Sequence, residues 1–188
     1  MDMTALLLET EAAPGAPALL LRPWRPSDAS VLAELYRDGA LRRWASAGVD
    51  GMGGAERWLE EQRRGWQRGD RFAFAVVEPV GEAGDGQVVG NAVLKNVSPG
   101  APAAEVGYWT AAHARGRAVA PRALRAVTDW AFATFGDGGL TRLDLLHQID
   151  NVASCRVAEK TGYAFSALLP ASPPAFPLDG HLHMRTVH

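Results

Sequence analysis

The sequence predicts an α/β (α+β) protein with a central, mixed and twisted sheet of about seven strands flanked by about four helices. Three observations predict this class. Short apolar runs alternate along the chain with segments whose apolar residues recur at helical spacing. Glycine and proline stand at most junctions between these segments. The second half reads strand–helix–strand–helix–strand, an order that favours a parallel pair of neighbouring strands.

The strand pattern occurs in seven segments. In chain order they span residues 18–22, 72–77, 87–97, 103–110, 143–147, 163–168 and 181–187. Segments 72–77 and 87–97 read as a hairpin. Residues 6–8 either form a further short strand or lie outside the sheet. The crossover between 103–110 and 143–147 predicts that these two strands are parallel.

The helical pattern occurs in four segments. They cover residues 29–36, 55–68, 121–135 and 152–161. Ser27 and Asp28 supply an N-cap for the first helix, and Asn151 caps the last, which ends at Gly162. The glycine-rich segment 48–54 reads as a loop. Because no Lys-Ser or Lys-Thr pair follows it, it is not a phosphate-binding P-loop.

Composition excludes several classes of function. The chain has 188 residues, a formal net charge of -2 and one cysteine. These values predict one domain over residues 1–188, with 1–17 as a flexible segment, and no disulfide. The absence of a basic bias argues against nucleic acid as a partner. No apolar run is long enough for a membrane span, and no signal-peptide pattern is seen, so a cytoplasmic protein is expected.

The most informative segment is 109–121, which reads as a strand end, a basic turn of small residues and the opening of a helix. A helix start presents unpaired backbone N–H groups and the positive end of the helix dipole. This arrangement suits an anion such as a pyrophosphate. Arginines 115, 117, 122 and 125 add a local basic patch. The alternative is a helix start that binds nothing.

Several motifs together resemble one known family. The motifs lie at 19–24 with Asp28, at 105–109 (Glu-Val-Gly-Tyr-Trp), at 115–120 (Arg-Gly-Arg-Ala-Val-Ala), at 150–154 (Asp-Asn-Val-Ala-Ser) and at 156–163. In this order they resemble the GNAT N-acetyltransferase family, and within it the ribosomal-protein-alanine acetyltransferase (RimJ/RimL)-like branch. The resemblance covers nearly the whole chain and implies the GNAT fold.

The resemblance implies acetyl-CoA as the cofactor. In that family the turn holds the pyrophosphate through backbone N–H groups, and a glycine is usual where this chain has Ala118, whose methyl group must then fit a helical conformation. The strand at 108–110 would pair with the pantetheine arm, Asn151 would bond to that arm, and Ser154 would face the thiol. The implied cofactor-binding residues are Tyr108, Trp109, Thr110, Arg115, Gly116, Arg117, Ala118, Val119, Ala120, Asn151 and Ser154.

The implied reaction is direct attack of a primary amine on the thioester, which needs a base for the amine and a stabilised thiolate. Glu105 is the first candidate base, and the alternative for it is a structural carboxylate. His147 is the second candidate, and the alternative for it is a polar residue at the sheet rim. Ser154 is the thiol-side residue, unless it only supports its helix. Cys155 is expected to pack in the core.

The remaining expectations concern metals and partners. His181 and His183 share one strand face, but two ligands are too few for a structural zinc site, so no metal is expected and they are placed at the acceptor pocket instead. Four tryptophans lie in the N-terminal third, most of them expected in the core. The acceptor is a small-molecule amine or a peptide N-terminus, and edge strands favour a homodimer. The competing function is a non-catalytic acyl-CoA-binding or sensing domain.

Overall fold

The structure of the chain is a computed structural model, which describes residues 6–13, 15–44, 48–80, 86–174 and 176–187. In these ranges eight strands form one sheet in the order β1-β2-β3-β4-β5-β6-β8-β7. Five helices and two short 3-10 turns of the same residues accompany it. Within these ranges the β5–β6 pair is parallel and the other neighbours are antiparallel. No helix in the described part of the chain combines the length and apolarity that crossing a membrane requires.

The strands are β1 Leu8–Glu9, β2 Leu20–Pro23, β3 Arg71–Glu78, β4 Gln87–Lys95, β5 Ala103–Thr110, β6 Arg142–Gln148, β7 Ala164–Leu169 and β8 Gly180–Thr186. The helices are α1 Ala29–Leu35, α2 Gly39–Trp44, α3 Gly51–Arg68, α4 Val119–Phe135 and α5 Val152–Lys160. The predicted fold class and all seven predicted strands are confirmed. The sheet gains one strand because Leu8 and Glu9 pair with β2, and α2 is a separate fifth helix.

Two of the local predictions were wrong. Segment 48–54 is not wholly a loop, because α3 already begins at Gly51. Gly54 packs closely against Val49, since an added Cβ would lie 3.2 Å from the Val49 backbone, a tight contact. Asp28 also does not cap α1 with its side chain. Its carboxylate instead accepts two hydrogen bonds from the Arg22 guanidinium, both 2.8 Å, and one from the Arg25 N–H, also 2.8 Å.

The sheet separates two cores. Helices α4 and α5 cover one face, where the core includes Leu143 and Leu145 of β6, with Tyr108 of β5 packed against it. Helices α1 and α3 cover the other face, where Trp109 lies. Because successive side chains of a strand point to opposite faces, Glu105 shares the α1/α3 face with Trp109.

Strands β5 and β6 diverge halfway along their length. Their parallel pairing runs from Ala103↔Arg142 to Val106↔Leu145 and then stops. Strand β5 continues to pair with β4 as far as Thr110, and β6 with β8 as far as Gln148. The carboxyl ends of both strands therefore flank an opening in the sheet. Helices α4 and α5 follow these two strands, so both helix N-termini lie at this edge, as the sequence predicts.

Candidate active site

The backbone of β5 is unpaired on the side that faces the opening. The N–H of Ala111 donates to the Val89 carbonyl at 2.9 Å, so its backbone groups point to β4. Successive residues of a strand direct these groups alternately to the two sides. Tyr108 and Thr110 therefore direct their N–H and C=O groups away from β4, towards the gap that β6 has left. An extended ligand can pair there as an additional strand.

The turn before α4 is shaped by two residues with left-handed backbone. Gly116 has φ 78° and Ala118 has φ 56°. Ala118 is the N-cap of α4, which no side chain caps. The methyl group was expected to fit a helical conformation, and this was wrong, because the position is left-handed. The result is a helix start whose first N–H groups face outward and can bind an anion.

The four arginines of the predicted basic patch do not all belong to this turn. Arg115 forms an ion pair with Asp38, and Arg117 forms one with Glu78. Arg122 is buried and donates to the Thr10 hydroxyl and to two backbone carbonyls of the N-terminal segment. Arg125 donates to the Lys160 carbonyl. Only the guanidiniums of Arg115 and Arg117 therefore remain as candidates for phosphate.

Asn151 forms the predicted cap of α5. Its side-chain oxygen accepts from the Ser154 N–H at 3.3 Å. Ser154 is buried, with 9% of its surface exposed, and its side chain faces the Tyr108 hydroxyl. That hydroxyl is sealed from solvent and has no hydrogen bond of standard geometry to any residue that the structure describes. Burial raises the pKa of Tyr108 to about 12, so the hydroxyl keeps its proton at neutral pH.

The Tyr108 side chain is a functional candidate that the sequence did not indicate. The motif pointed to its backbone, and the absence of a tyrosine in α5 favoured Ser154 alone on the thiol side. Tyr108 of β5 and Ser154 of α5 come together only through tertiary packing, and residue spacing in the sequence does not reveal such a contact.

Glu105 lies on β5 just before the strands diverge, with its carboxylate anchored at both oxygens. Lys95 Nζ is 2.5 Å from one oxygen, and the Asn96 side-chain amide donates to the other at 3.1 Å. The side chain remains 22% exposed. The ion pair matches the structural alternative, while its place beside the opening and its partial exposure suit a base.

His147 belongs to a cluster on the α5 side of the sheet. His147 pairs directly with His181 across β6 and β8, and His183 is opposite Leu145. Cys155 approaches from α5, with its Sγ 3.5 Å from His147 Nε2 and 3.2 Å from His181 Nδ1. Burial lowers the pKa of His147 and of His183, so both imidazoles are neutral at pH 7.

This cluster changes two expectations. Cys155 contacts polar rings and is only partly buried, so it does not simply pack in the apolar core. His181 and His183, which were expected at the acceptor pocket, lie on the face that α5 covers, opposite to the face of Trp109. Burial raises the pKa of the Cys155 thiol above its ordinary value, with a further contribution from Glu159.

Aromatic residues line the α1/α3 face beside the opening. The ring of Trp24 lies 5.3 Å from that of Trp58 and 6.0 Å from that of Trp109. The Trp24 indole N–H donates to Asn91 at 2.9 Å. All three tryptophans are buried, and for Trp24 and Trp58 this fits the predicted role in the core. Trp44 differs, since it is half-buried and stacks under Arg43, whose guanidinium carbon is 4.6 Å from the ring centre.

Comparison with known proteins agrees with this geometry. The profile of the GNAT acetyltransferase domain matches residues 18–164. No curated relative matches the chain at significant similarity. Among solved structures, RimJ of Mycobacterium smegmatis, in complex with CoA-disulfide, is 23% identical with a TM-score of 0.80, covering 96% of this chain and 87% of that one.

Two further solved structures share the fold. A GNAT-family acetyltransferase from Bacillus anthracis is 18% identical with a TM-score of 0.77, covering 96% of this chain and 98% of its own. An acetyltransferase from Salmonella typhimurium, which modifies the N-terminal serine of a 50S ribosomal subunit protein, is 18% identical with a TM-score of 0.75. The match covers 90% of this chain and 95% of the Salmonella chain.

The family profile spans most of the sequence. The cofactor motif of the family lies at the edge of the sheet where β5 and β6 diverge and where α4 and α5 begin. The chain belongs to the GNAT family and is an acetyl-CoA-dependent acetyltransferase.

Proposed function

We propose that the protein transfers the acetyl group of acetyl-CoA to a primary amine by direct attack within a ternary complex. The observation that carries this proposal is the divergence of β5 and β6. It leaves backbone donors and acceptors of β5 unpaired between two helix starts, and chemically distinct side chains lie on the two faces of the sheet at that point. A thioester that enters between the strands reaches both faces.

The cofactor is held mainly by backbone groups. The pantetheine amides pair with Tyr108 and Thr110, in the manner of a neighbouring strand. The pyrophosphate lies on the N–H groups of residues 116–120, at the positive end of α4. Arg115 and Arg117 each have five N–H donors, so an ion pair to one carboxylate leaves others for a phosphate oxygen.

Glu105 acts as the general base from the α1/α3 face. A protonated amine has no free lone pair, so its proton must leave before attack on the carbonyl carbon. Glu105 accepts this proton directly or through one water molecule. The bond between nitrogen and the carbonyl carbon then forms, and the bond from carbon to sulfur breaks. The attacking nitrogen loses its second proton to the leaving sulfur, so the products are the amide and free CoA.

The leaving thiolate is stabilised on the opposite face. Ser154 and Tyr108 are two hydroxyl donors from different elements, and the Tyr108 hydroxyl has no standard hydrogen bond of its own among the described residues. A pKa of about 12 keeps that hydroxyl protonated as a donor. Because its hydrogen bond strengthens as charge develops on sulfur, it favours the transition state over the bound thioester.

The acceptor we favour is the N-terminal amine of a protein, the class of acceptor used in the RimJ/RimL branch. The support is the similarity in fold to an enzyme that acetylates an N-terminal serine. Trp44 and its neighbour Arg43 are candidates for contacting such a peptide, because they lie on the surface near the opening. Arg43 forms an ion pair with Asp150, immediately before the cap of α5, at 2.6 Å.

The test is release of free CoA from acetyl-CoA, with panels of N-terminal peptides and of small amines as acceptors. We expect Glu105→Gln and Tyr108→Phe each to lower turnover by at least about tenfold, roughly 1.4 kcal/mol of barrier. The exposed Glu61→Gln in α3 is the matched control and should retain full turnover. Calorimetry with CoA should give similar affinity for all three variants, because none removes a backbone contact.

Two outcomes would overturn parts of the proposal. Full turnover by Glu105→Gln would remove that residue as the base. CoA binding with no turnover on either acceptor panel would favour the non-catalytic sensing function instead.

A further inference from the structure

Four side chains with metal-binding chemistry converge on the α5 face of the sheet. They are His147 of β6, His181 and His183 of β8, and Cys155 of α5, and one nitrogen or sulfur atom of each lies within 4.8 Å of the others. The three rings are mutually close, with centroid separations between 5.2 and 6.0 Å. Acetyl transfer as proposed above uses none of these groups.

We propose that this cluster is a four-coordinate site for a divalent transition metal, with Zn²⁺ as the preferred ion. The ligands are Cys155 Sγ, His147 Nε2, His181 Nδ1 and His183 Nε2. Two of them come from adjacent positions across the β6–β8 ladder, one from the next inward-facing residue of β8, and one from the helix above.

The distances suit tetrahedral zinc. With zinc–nitrogen bonds of about 2.0–2.1 Å and zinc–sulfur bonds of about 2.3 Å, neighbouring ligand atoms in a tetrahedron lie roughly 3.3–3.6 Å apart. Of the two separations from Cys155 Sγ, the 3.5 Å to His147 Nε2 lies in this range and the 3.2 Å to His181 Nδ1 is just below it. Coordination requires small side-chain shifts that shorten the other separations, none of which exceeds 4.8 Å.

Backbone carbonyls orient two of the imidazoles for coordination. His147 Nδ1 lies 2.9 Å from the Gln148 carbonyl, and His183 Nδ1 lies 3.3 Å from the Tyr163 carbonyl. A carbonyl can only accept, so in both rings the proton is on Nδ1 and the lone pair is on Nε2. This second-shell contact is the one that metal-bound histidines usually make.

The Nε2 atom of His183 points to the same conclusion. His183 is 98% buried, since only 2% of its surface is exposed, and its Nε2 has no hydrogen-bond partner in the described part of the chain. An unpaired buried lone pair costs free energy. A metal ion bound to Nε2 removes this cost without a further protein donor.

The donor set selects among ions. Imidazole and thiolate favour zinc and neighbouring transition metals, whereas calcium and magnesium prefer oxygen ligands. Coordination displaces the proton of the Cys155 thiol, and the resulting thiolate partly neutralises a divalent ion. Four protein ligands leave no open position, so the metal ties α5 to β6 and β8 and does not activate water. His147 then serves as a ligand, which leaves Glu105 as the base.

The experiment is calorimetric titration of tag-free, metal-stripped protein with Zn²⁺, with a parallel Co²⁺ titration followed by absorption. We expect one Zn²⁺ per chain and, with Co²⁺, a tetrahedral spectrum with a thiolate charge-transfer band. Cys155→Ser should abolish that band and weaken Zn²⁺ binding by more than about 100-fold, beyond the 10–100-fold that loss of a second-shell contact costs. His181→Gln should weaken binding similarly.

His113→Gln is the matched control, since His113 is exposed on the 3-10 turn after β5 and lies outside the cluster. It should bind Zn²⁺ as the unmodified chain does. Circular dichroism of each metal-free variant shows whether it folds, and a folded chain that binds no stoichiometric Zn²⁺ would overturn the site. Equal Zn²⁺ affinity in Cys155→Ser, His181→Gln and the unmodified chain would overturn it as well. Neither result depends on whether the protein turns over acetyl-CoA.

Discussion

Ala118 shows how one methyl group bears on the cofactor turn. The residue is exposed and has φ 56° and ψ 25°, a left-handed conformation that costs a non-glycine residue roughly 1–2 kcal/mol. Its side chain makes no compensating packing contact in the core. The family's usual glycine would adopt this conformation without strain, so the alanine lowers the stability of the turn while leaving its backbone geometry intact.

We therefore predict that Ala118→Gly raises the free energy of unfolding by up to about 1 kcal/mol, since relief of strain exceeds the greater chain entropy that glycine adds to the unfolded state. Affinity for CoA should be equal or higher. Ala120→Gly, in the right-handed first turn of α4, should instead lower stability by about 0.5–1 kcal/mol. Urea unfolding compares the three proteins, and loss of stability in Ala118→Gly would contradict the argument.

At the scale of elements, one ion pair fixes how the first helix leaves the sheet. The Arg22 guanidinium of β2 makes two parallel bonds to Asp28, whose carboxylate also accepts from the Arg25 backbone. The side chains are only 13% and 8% exposed. This contact explains in physical terms why an Arg-Pro-Trp sequence followed by an Asp forms part of the recognised motif.

We predict that Asp28→Asn lowers the free energy of unfolding by about 2–3 kcal/mol, because it keeps an acceptor for Arg25 but leaves Arg22 charged and nearly buried without its counter-ion. Adding Arg22→Met should recover part of that loss, since the unpaired charge is then removed. Glu60→Gln, which breaks exposed pairs within α3, should have no measurable effect. If the double variant is less stable than Asp28→Asn by the full cost of Arg22→Met, the two residues are not coupled.

Individual elements show which parts of the fold could be predicted from the sequence and which could not. Strand β5 was predicted at its observed bounds because proline and small residues delimit a clear alternating run. The start of α3 was missed because three glycines in its first turn oppose helix formation. The grouping of His147 with His181 could not be predicted, because the β6–β8 register that sets them opposite each other is not encoded in local spacing.

At the scale of the whole molecule, function rests on an interruption of the sheet. In the described residues β5 and β6 pair only as far as Val106 and Leu145, so a strand-shaped gap lies between the β1–β5 part and the β6–β8 part of the sheet. Helices α4 and α5 cover the same face and begin at the same edge, which brings the phosphate site and the thiol site to the two ends of one extended ligand.

This arrangement predicts a specific pattern of hydrogen exchange on binding of CoA, resolved by NMR at single amides. The amides of Tyr108 and Thr110, which face the gap, should slow by up to about 100-fold at a CoA concentration 100 times Kd, if exchange requires release of the ligand. The amides of residues 116–120 should slow with them. The Trp109 amide already faces β4 and should change little, which makes it an internal control. Protection at residues 116–120 without protection at Tyr108 and Thr110 would show that the nucleotide binds at the turn while the pantetheine arm leaves the sheet. In that case the proposed geometry of thioester attack would be wrong.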